Sequence, residues 1–190
     1  MENRTIQLET QHLILRTFNM DDVASVYKNW GKQEEVYKYL PWNPHQSMTQ
    51  TKQIVEQWIS KYEDPYRCYW CIELKGLNES IGSLYLVDYD PKKQDIEAGF
   101  CIGKDFWGNG YVSEALRCVC VYLLTEKNTY MPIQRIWARH DCENVASGVA
   151  LKKAGFKLVK EIPSFSATKQ ENVLAAFYEM TREMIRYKQL

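Results

Sequence analysis

The stretch from Ile96 to Leu116, IEAGFCIGKDFWGNGYVSEAL, limits the possible folds more than any other part of the chain. Ile96–Gly103 predicts a β-strand, with Glu97, Gly99 and Cys101 on one face and Ile96, Ala98, Phe100 and Ile102 on the other. Val112, Ala115, Leu116, Val119, Cys120 and Leu123 then recur at helical spacing. Between strand and helix stands Trp107-Gly108-Asn109-Gly110. Glycines there open backbone conformations closed to other residues and let a bulky ligand approach the main chain. The first N–H groups of the helix lack internal partners and lie at its positive dipole end. Strand, glycine turn and helix start together form an anion cradle. The sequence has no G-x-x-x-x-G-K-[ST] for a P-loop. A G-x-G-x-x-G dinucleotide fingerprint fails as well, because Ser113 stands at its third glycine.

Around this segment the periodicity predicts the order βααβββαβαββ. Leu13–Phe18 reads as the first strand. A helix opening at Asp21 and Asp22 carries Val23, Val26, Tyr27 and Trp30 on one face and stops at Gly31. An aromatic, proline-bearing loop follows from Lys32 to Gln46. Ser47-Met-Thr-Gln50 has the form of a capping box for a second helix. Tyr69–Leu74, Gly82–Asp88 and Ile96–Gly103 read as strands joined by short turns, hence antiparallel. After the glycine turn and its helix come a strand at Arg135–His140 and a helix capped by Asn144 that ends at Gly155. Strands at Phe156–Glu161 and Val173–Met180 close the pattern. The strand-helix-strand unit over 96–140 implies a parallel pair with a right-handed crossover. The expected fold is α/β (α+β), a single domain over 1–190. Its central sheet is mixed and largely antiparallel, of about seven strands, with helices on both faces.

Composition excludes several classes. The 24 basic and 24 acidic side chains balance to zero net charge, against a nucleic-acid partner. The longest apolar run is Cys118–Leu124, far short of the ~18 residues that span a membrane. The N-terminus carries no signal-peptide core, so no membrane is expected and the cytoplasm is the expected location. The six cysteines, 68, 71, 101, 118, 120 and 142, lack zinc-site spacing and are expected reduced, with no metal. Cys68 and Cys71, three apart on a strand, fall on opposite faces. His140-Asp-Cys142 invites a nucleophile reading, but no acyl-enzyme elbow accompanies it. Lys152, Lys153, Lys157 and Lys160 are either a solvated face or a shallow patch for a polyphosphate ligand.

FWGNGYVSEAL, with IEAGF before it and N-V-A-S…K-K-A-G-F after it, resembles the GCN5-related N-acetyltransferases (GNAT), in particular the RimJ/RimL-type branch. The likeness runs from Leu13 to about Arg182 and includes the Y-L-P-W loop at 39–42. It implies a GNAT-type domain that takes acetyl-CoA as acetyl donor and passes the acetyl group directly to an amine, without metal or covalent intermediate. The family's pyrophosphate loop, Q/R-x-x-G-x-G/A, falls on Asp105–Gly110. This implies donor binding by Trp107, Gly108, Asn109, Gly110, Tyr111, Val112 and Ser113. Asp105 departs from the usual Gln or Arg, and an acid cannot donate a hydrogen bond there. The resemblance further implies that the pantetheine arm pairs with the backbone of Phe100, Cys101 and Ile102 and bonds to Asn144, and that an N–H near Cys101 serves the oxyanion.

Acetyl transfer needs a base for the amine, donors for the oxyanion and a proton for the leaving thiolate. Glu97 is the candidate base. The family's usual acid, a Tyr, is replaced by Leu151; the branch that the chain resembles more often has a Ser at the N-x-x-S position, which implies Ser147 as the candidate acid, with Tyr178 a weaker substitute. Tyr39 and Trp42 are candidate acceptor-binding residues, with Glu34 and Glu35 beside them. The preferred acceptor is the N-terminal α-amine of a protein or peptide. The alternatives are an acetyltransferase for a small-molecule amine or a CoA-binding sensor without catalysis. A monomer or homodimer is expected.

Overall fold

A computed structural model describes residues 5–64, 66–125, 132–166 and 169–186. Its strands are β1 (Leu8–Glu9), β2 (Leu13–Arg16), β3 (Cys68–Leu74), β4 (Glu79–Asp90), β5 (Asp95–Ile102), β6 (Arg135–Asp141), β7 (Lys157–Ser166) and β8 (Glu171–Thr181). They form one sheet in the order β1-β2-β3-β4-β5-β6-β8-β7. Every neighbouring pair is antiparallel except β5 and β6. The helices are α1 (Val23–Val26), α2 (Glu34–Tyr37), α3 (Met48–Ser60), α4 (Tyr111–Leu124), α5 (Val145–Ala154) and α6 (Arg182–Arg186).

All seven expected strands are present, and the eighth, β1, is too short to leave a periodic signal. The first expected strand stops at Arg16, and the amide of Phe18 donates to the Tyr62 hydroxyl at 2.7 Å. The helix expected at Asp21 begins as a tight 3-10 turn. Asn19 Oδ1 accepts from the Asp21 amide at 2.8 Å, and the Asp22 carboxylate accepts from the Asn19 amide at 2.8 Å. It ends in a π turn, Tyr27–Gly31. Gly31 has no room for a side chain: a Cβ there would lie 2.7 Å from His45 Nδ1. The capping box at α3 is only half made. Ser47 Oγ accepts from the Gln50 amide at 3.1 Å, while Gln50 Oε1 accepts from the amide of Gln46. The expected loop also contains one helical turn, α2.

Strand alternation sends apolar side chains to both faces of the sheet. Leu84, Leu86, Ile96, Ala98, Ile136 and Ala138 pack against Leu116, Val119 and Leu151 of α4 and α5. On the other face Cys71 and Cys101 pack with Phe18, Val26, Trp30 and Val55, and Trp30 stacks on Trp58 at 5.6 Å. Each fully buried Leu or Ile contributes about 1.5–3 kcal/mol. The larger α4/α5 side therefore carries most of the apolar stabilisation. Cys68 and Cys71 lie in opposite cores, as their spacing predicts, and all six cysteines are free thiols.

The parallel pair is short. Asp95–Glu97 align with Arg135–Trp137. Beyond that point β5 continues along β4 to Ile102, and β6 continues along β8 to Asp141. The two strands part at Glu97 and open a wedge-shaped cleft through the sheet. The strand-to-helix turn lies at the end of β5, and the start of α5 lies just past the end of β6.

Candidate active site

The β5 edge that lines the cleft has a fixed polarity. The Gln94 carbonyl accepts from the Gln134 amide at 2.8 Å, on the β6 side. The Gly103 amide donates to the Ile81 carbonyl at 2.9 Å, on the β4 side. Peptide groups alternate along a strand, so those of Ala98, Phe100 and Ile102 face the cleft, whereas that of Cys101 turns to β4. The Ile102 carbonyl is already used, by Trp107 Nε1 at 2.9 Å. The Ile102 amide and both groups of Phe100 remain for a ligand. Of the three residues whose backbone is expected to face a ligand, Phe100 and Ile102 turn their amides to the cleft and Cys101 turns its own to β4. The Cys101 side chain is buried in the second core, 3.3 Å from Ser83 Oγ, and burial pushes its thiol up to about 11.

Gly108 and Gly110 both have φ of 82°, and nothing lies within 4 Å of where a Cβ would stand. Their requirement is therefore conformational rather than a matter of space. Asn109 Nδ2 braces the turn on the carbonyls of Phe106 and Trp107, each at 3.2 Å. No side chain caps α4, and its first backbone bond runs from the Glu114 amide to the Gly110 carbonyl at 3.0 Å. The amides of Tyr111, Val112 and Ser113 precede that bond and point out of the helix end. The turn and helix end suit a pyrophosphate, and the free β5 edge suits an extended amide-bearing arm, the two parts of acetyl-CoA that a protein backbone can hold. Asp105 is exposed beside them. Lys104 is held away, its Nζ donating to Glu35 at 2.6 Å and its amide to Gln33 Oε1 at 2.8 Å, which ties α2 to the turn.

At the other arm of the cleft, Asn144 Oδ1 caps α5 by accepting from the Ser147 amide at 3.3 Å, which places Ser147 in the first turn. Leu151 is buried in the core and Tyr178 stacks on His140 at 5.4 Å. His140 Nδ1 donates to the Asp141 carbonyl and, among the described residues, its Nε2 has no hydrogen-bond partner, so the ring is not paired with Cys142. The four lysines do not form one patch. Lys152 and Lys153 end α5, where cations suit the dipole, while Lys160 lies over the Phe177 ring at 5.3 Å on the opposite face.

Glu97 stands where the strands part, its side chain 17% exposed. Arg139 Nε donates to Glu97 Oε1 at 3.2 Å. Burial raises the Glu97 pKa and Asp88 adds to the rise; Arg139 opposes it without cancelling it. Tyr85 lies over Gly99, where a Cβ would overlap its ring. Glu97, Arg139 and Cys101 all act electrostatically on the Tyr85 phenol, whose pKa burial raises. Trp42 reaches Tyr85 at 5.9 Å while remaining 43% exposed. Tyr39 is placed further out, its hydroxyl donating to the Glu143 carbonyl at 3.4 Å. Tyr85 and Arg139 had no sequence signal. They meet Glu97 only through strand register.

The family model described as an acetyltransferase (GNAT) domain matches residues 12–157. YoaA of Bacillus subtilis (strain 168), an uncharacterized N-acetyltransferase, is 27% identical over 150 residues, which are 79% of this chain and 82% of that protein. The ribosomal L7/L12 alpha-N-protein acetyltransferase RimL, solved with coenzyme A, superposes with a TM-score of 0.79 at 18% identity, covering 93% of this chain and 98% of that one. The microcin C7 self-immunity acetyltransferase MccE, solved with acetyl-CoA and AMP, gives 0.78 at 14% identity, covering 90% and 93%. With the family model spanning most of its length, a split sheet and a glycine turn opening α4, this chain belongs to the GCN5-related N-acetyltransferase superfamily.

Proposed function

We propose that this protein moves the acetyl group of acetyl-CoA directly to the N-terminal α-amine of a protein or peptide, in the manner of the RimJ/RimL-type branch. The observation that carries the reading is Glu97. It is a largely buried carboxylate at the mouth of the cleft, with a raised pKa and, among the described residues, one ion-pair partner, Arg139. A base tuned upward toward neutrality takes a proton more effectively than an ordinary carboxylate.

The acceptor arrives as an ammonium ion and is drawn to Glu97, which takes one proton directly or through a water. The amine lone pair then attacks the thioester carbonyl, and the carbon–oxygen π pair moves onto oxygen. The cleft-facing amides of Phe100 and Ile102 are the donors placed to hold that oxyanion. Collapse restores the carbonyl, breaks the carbon–sulfur bond and leaves the electron pair on sulfur. The extra proton on the amide nitrogen reaches that thiolate through the Ser147 hydroxyl, which gives its proton to sulfur as it receives the one from nitrogen. Glu97 releases the proton it took from the ammonium ion to water. Gly108 to Ser113 hold the pyrophosphate, and Asn144 lies beside the pantetheine. The α-amine acceptor is favoured because RimL, which shares this fold, is by name an alpha-N-protein acetyltransferase.

The test is acetylation of a set of short peptides with free N-termini, read by mass and by thiol release. Transfer to the α-amine, with none to the same peptides once N-terminally blocked, is the expected result. Transfer to a lysine side chain or only to small amines would overturn the acceptor assignment.

A further inference from the structure

The face of the sheet that carries Glu97 is unequally covered. Core residues from α1 and α3 meet it at Cys71 and Cys101, while the β6 and β8 part keeps two half-buried rings, Trp137 and Phe177. These stack at 6.3 Å. Arg139 sits directly opposite Phe177 in the strand register, two residues on from Trp137 and on the same face. Its side chain is half exposed. Its Nε holds Glu97, and among the described residues Nη1 and Nη2 make no hydrogen bond or ion pair. A guanidinium presents five donors in one plane, so a residue fixed through Nε still offers a fork to a second acceptor.

We propose that Arg139 is a specificity-determining residue that binds the carbonyl oxygen adjacent to the attacked amine, selecting α-aminoacyl acceptors over amines without a carbonyl. The inference rests on the proposed function, since Glu97 must be the group that receives the amine. In an α-amino amide three bonds separate the nitrogen from the carbonyl oxygen, which places them about 3 Å apart. Nε lies 3.2 Å from Glu97 Oε1, and the Nη donors belong to the same small planar group, so a ligand of this short span can reach both Glu97 and the fork. The Trp137–Phe177 pair beside them offers a bed for an apolar first side chain. A polyamine or simple alkylamine satisfies Glu97 and offers the fork no acceptor, so only the α-aminoacyl acceptor gains the charge-assisted hydrogen bond.

The probes are phenylalaninamide and phenethylamine, which share an aromatic side chain and differ in the carboxamide. Both use the same base and oxyanion donors. A change in Glu97 basicity therefore moves both rates together, and the ratio of their kcat/KM values isolates the carbonyl contact. The wild type is expected to prefer phenylalaninamide. Arg139→Gln is expected to reduce that preference about ten- to hundred-fold, the range for a hydrogen bond to a charged group. Arg139→Lys is expected to lose it too, because one ammonium cannot serve Glu97 and the carbonyl in the same geometry. Acetyl-CoA affinity, measured separately by calorimetry, is expected to stay the same in both variants and shows that they are folded. A preference unchanged by both substitutions, or a wild type that favours phenethylamine, overturns the inference while leaving the acetyltransferase reading standing. Transfer to neither amine nor to any peptide, by a wild type that binds acetyl-CoA, overturns the proposed function and this inference with it.

Discussion

At Glu97 two influences compete, and the desolvating one is larger. Burial lifts its pKa above the ordinary value while Arg139 pulls it down. A base with a raised pKa is lost to protonation as pH falls, from a point above the usual ~4.3. The kcat/KM profile should therefore show an acid limb displaced upward from that value. Glu97→Gln should remove the limb and lower kcat by about 10²–10⁴-fold, with acetyl-CoA affinity unchanged. An unaltered profile in that variant would assign the limb to another group. His45 gives a second prediction, for stability. Burial lowers its pKa, and its Nδ1 lies 2.9 Å from the Thr51 hydroxyl. The unfolded chain then binds the proton more readily than the folded one. The His45 contribution is complete above pH ~6.5 and is lost as pH falls through the lowered folded value. Denaturant unfolding at several pH values should show this loss, and His45→Gln should flatten it. Glu97 was legible in the sequence because period-two alternation sets its face. Tyr85 and Arg139 were not, because residues so far apart in the chain become neighbours only through the pairing of β4, β5 and β6.

The turn between β5 and α4 is held by two left-handed glycines and one indole. Gly108→Ala forces a side chain into φ of 82°, which costs about 1–2 kcal/mol and tilts the amides that precede Glu114. Lower thermal stability together with weaker acetyl-CoA binding is the expected result. A variant equally stable and equally tight would remove the turn from the site. Gly99 has a different constraint. A Cβ there overlaps the Tyr85 ring, so Gly99→Ala must displace Tyr85 from beside Glu97. Turnover is expected to fall more than acetyl-CoA affinity does. The turn glycines and the α5 cap at Asn144 could be read from the sequence, since each is a local signal. The outward peptides of Phe100 and Ile102 could not, because their direction depends on which edge of β5 pairs with β4. The single turn of α2 inside an aromatic loop was hidden for a related reason: Tyr37 is buried by packing against His45 at 5.9 Å, not by any helical repeat.

Across the whole molecule, the cleft exists because one sheet divides, and both halves need a rigid frame. On the β2–β3 side that frame includes a nearly buried charge cluster. Arg16 donates to Asp22 at 2.7 and 2.9 Å and to Glu73 at 2.5 Å, which joins β2, the start of the first helix and β3. These partners hold the Arg16 pKa above its usual value. Removing one member of a buried pair leaves a desolvated charge, so Arg16→Ala should destabilise the protein by about 3–5 kcal/mol. Chemical denaturation measures this directly, and a loss below ~1 kcal/mol would mean water replaces the guanidinium. Among the described residues no helix is long and apolar enough to cross a membrane. The overall architecture was legible because strand and helix periods alternate cleanly and the turns are short. The point at which β5 leaves β6 was not, since it is set by packing over many residues and by no single one.

The measurement that bears most directly on the central claim is thermal unfolding with acetyl-CoA, with CoA, ATP and NAD as comparisons. Ligand at 100 times its Kd adds about 2.7 kcal/mol to a protein that binds it only when folded. For a chain of this length the shift is roughly 5–10 °C. The account predicts that shift with acetyl-CoA and CoA, of equal size in Glu97→Gln, and little with ATP or NAD. No shift at saturating acetyl-CoA, or an equal shift with all four ligands, would contradict it.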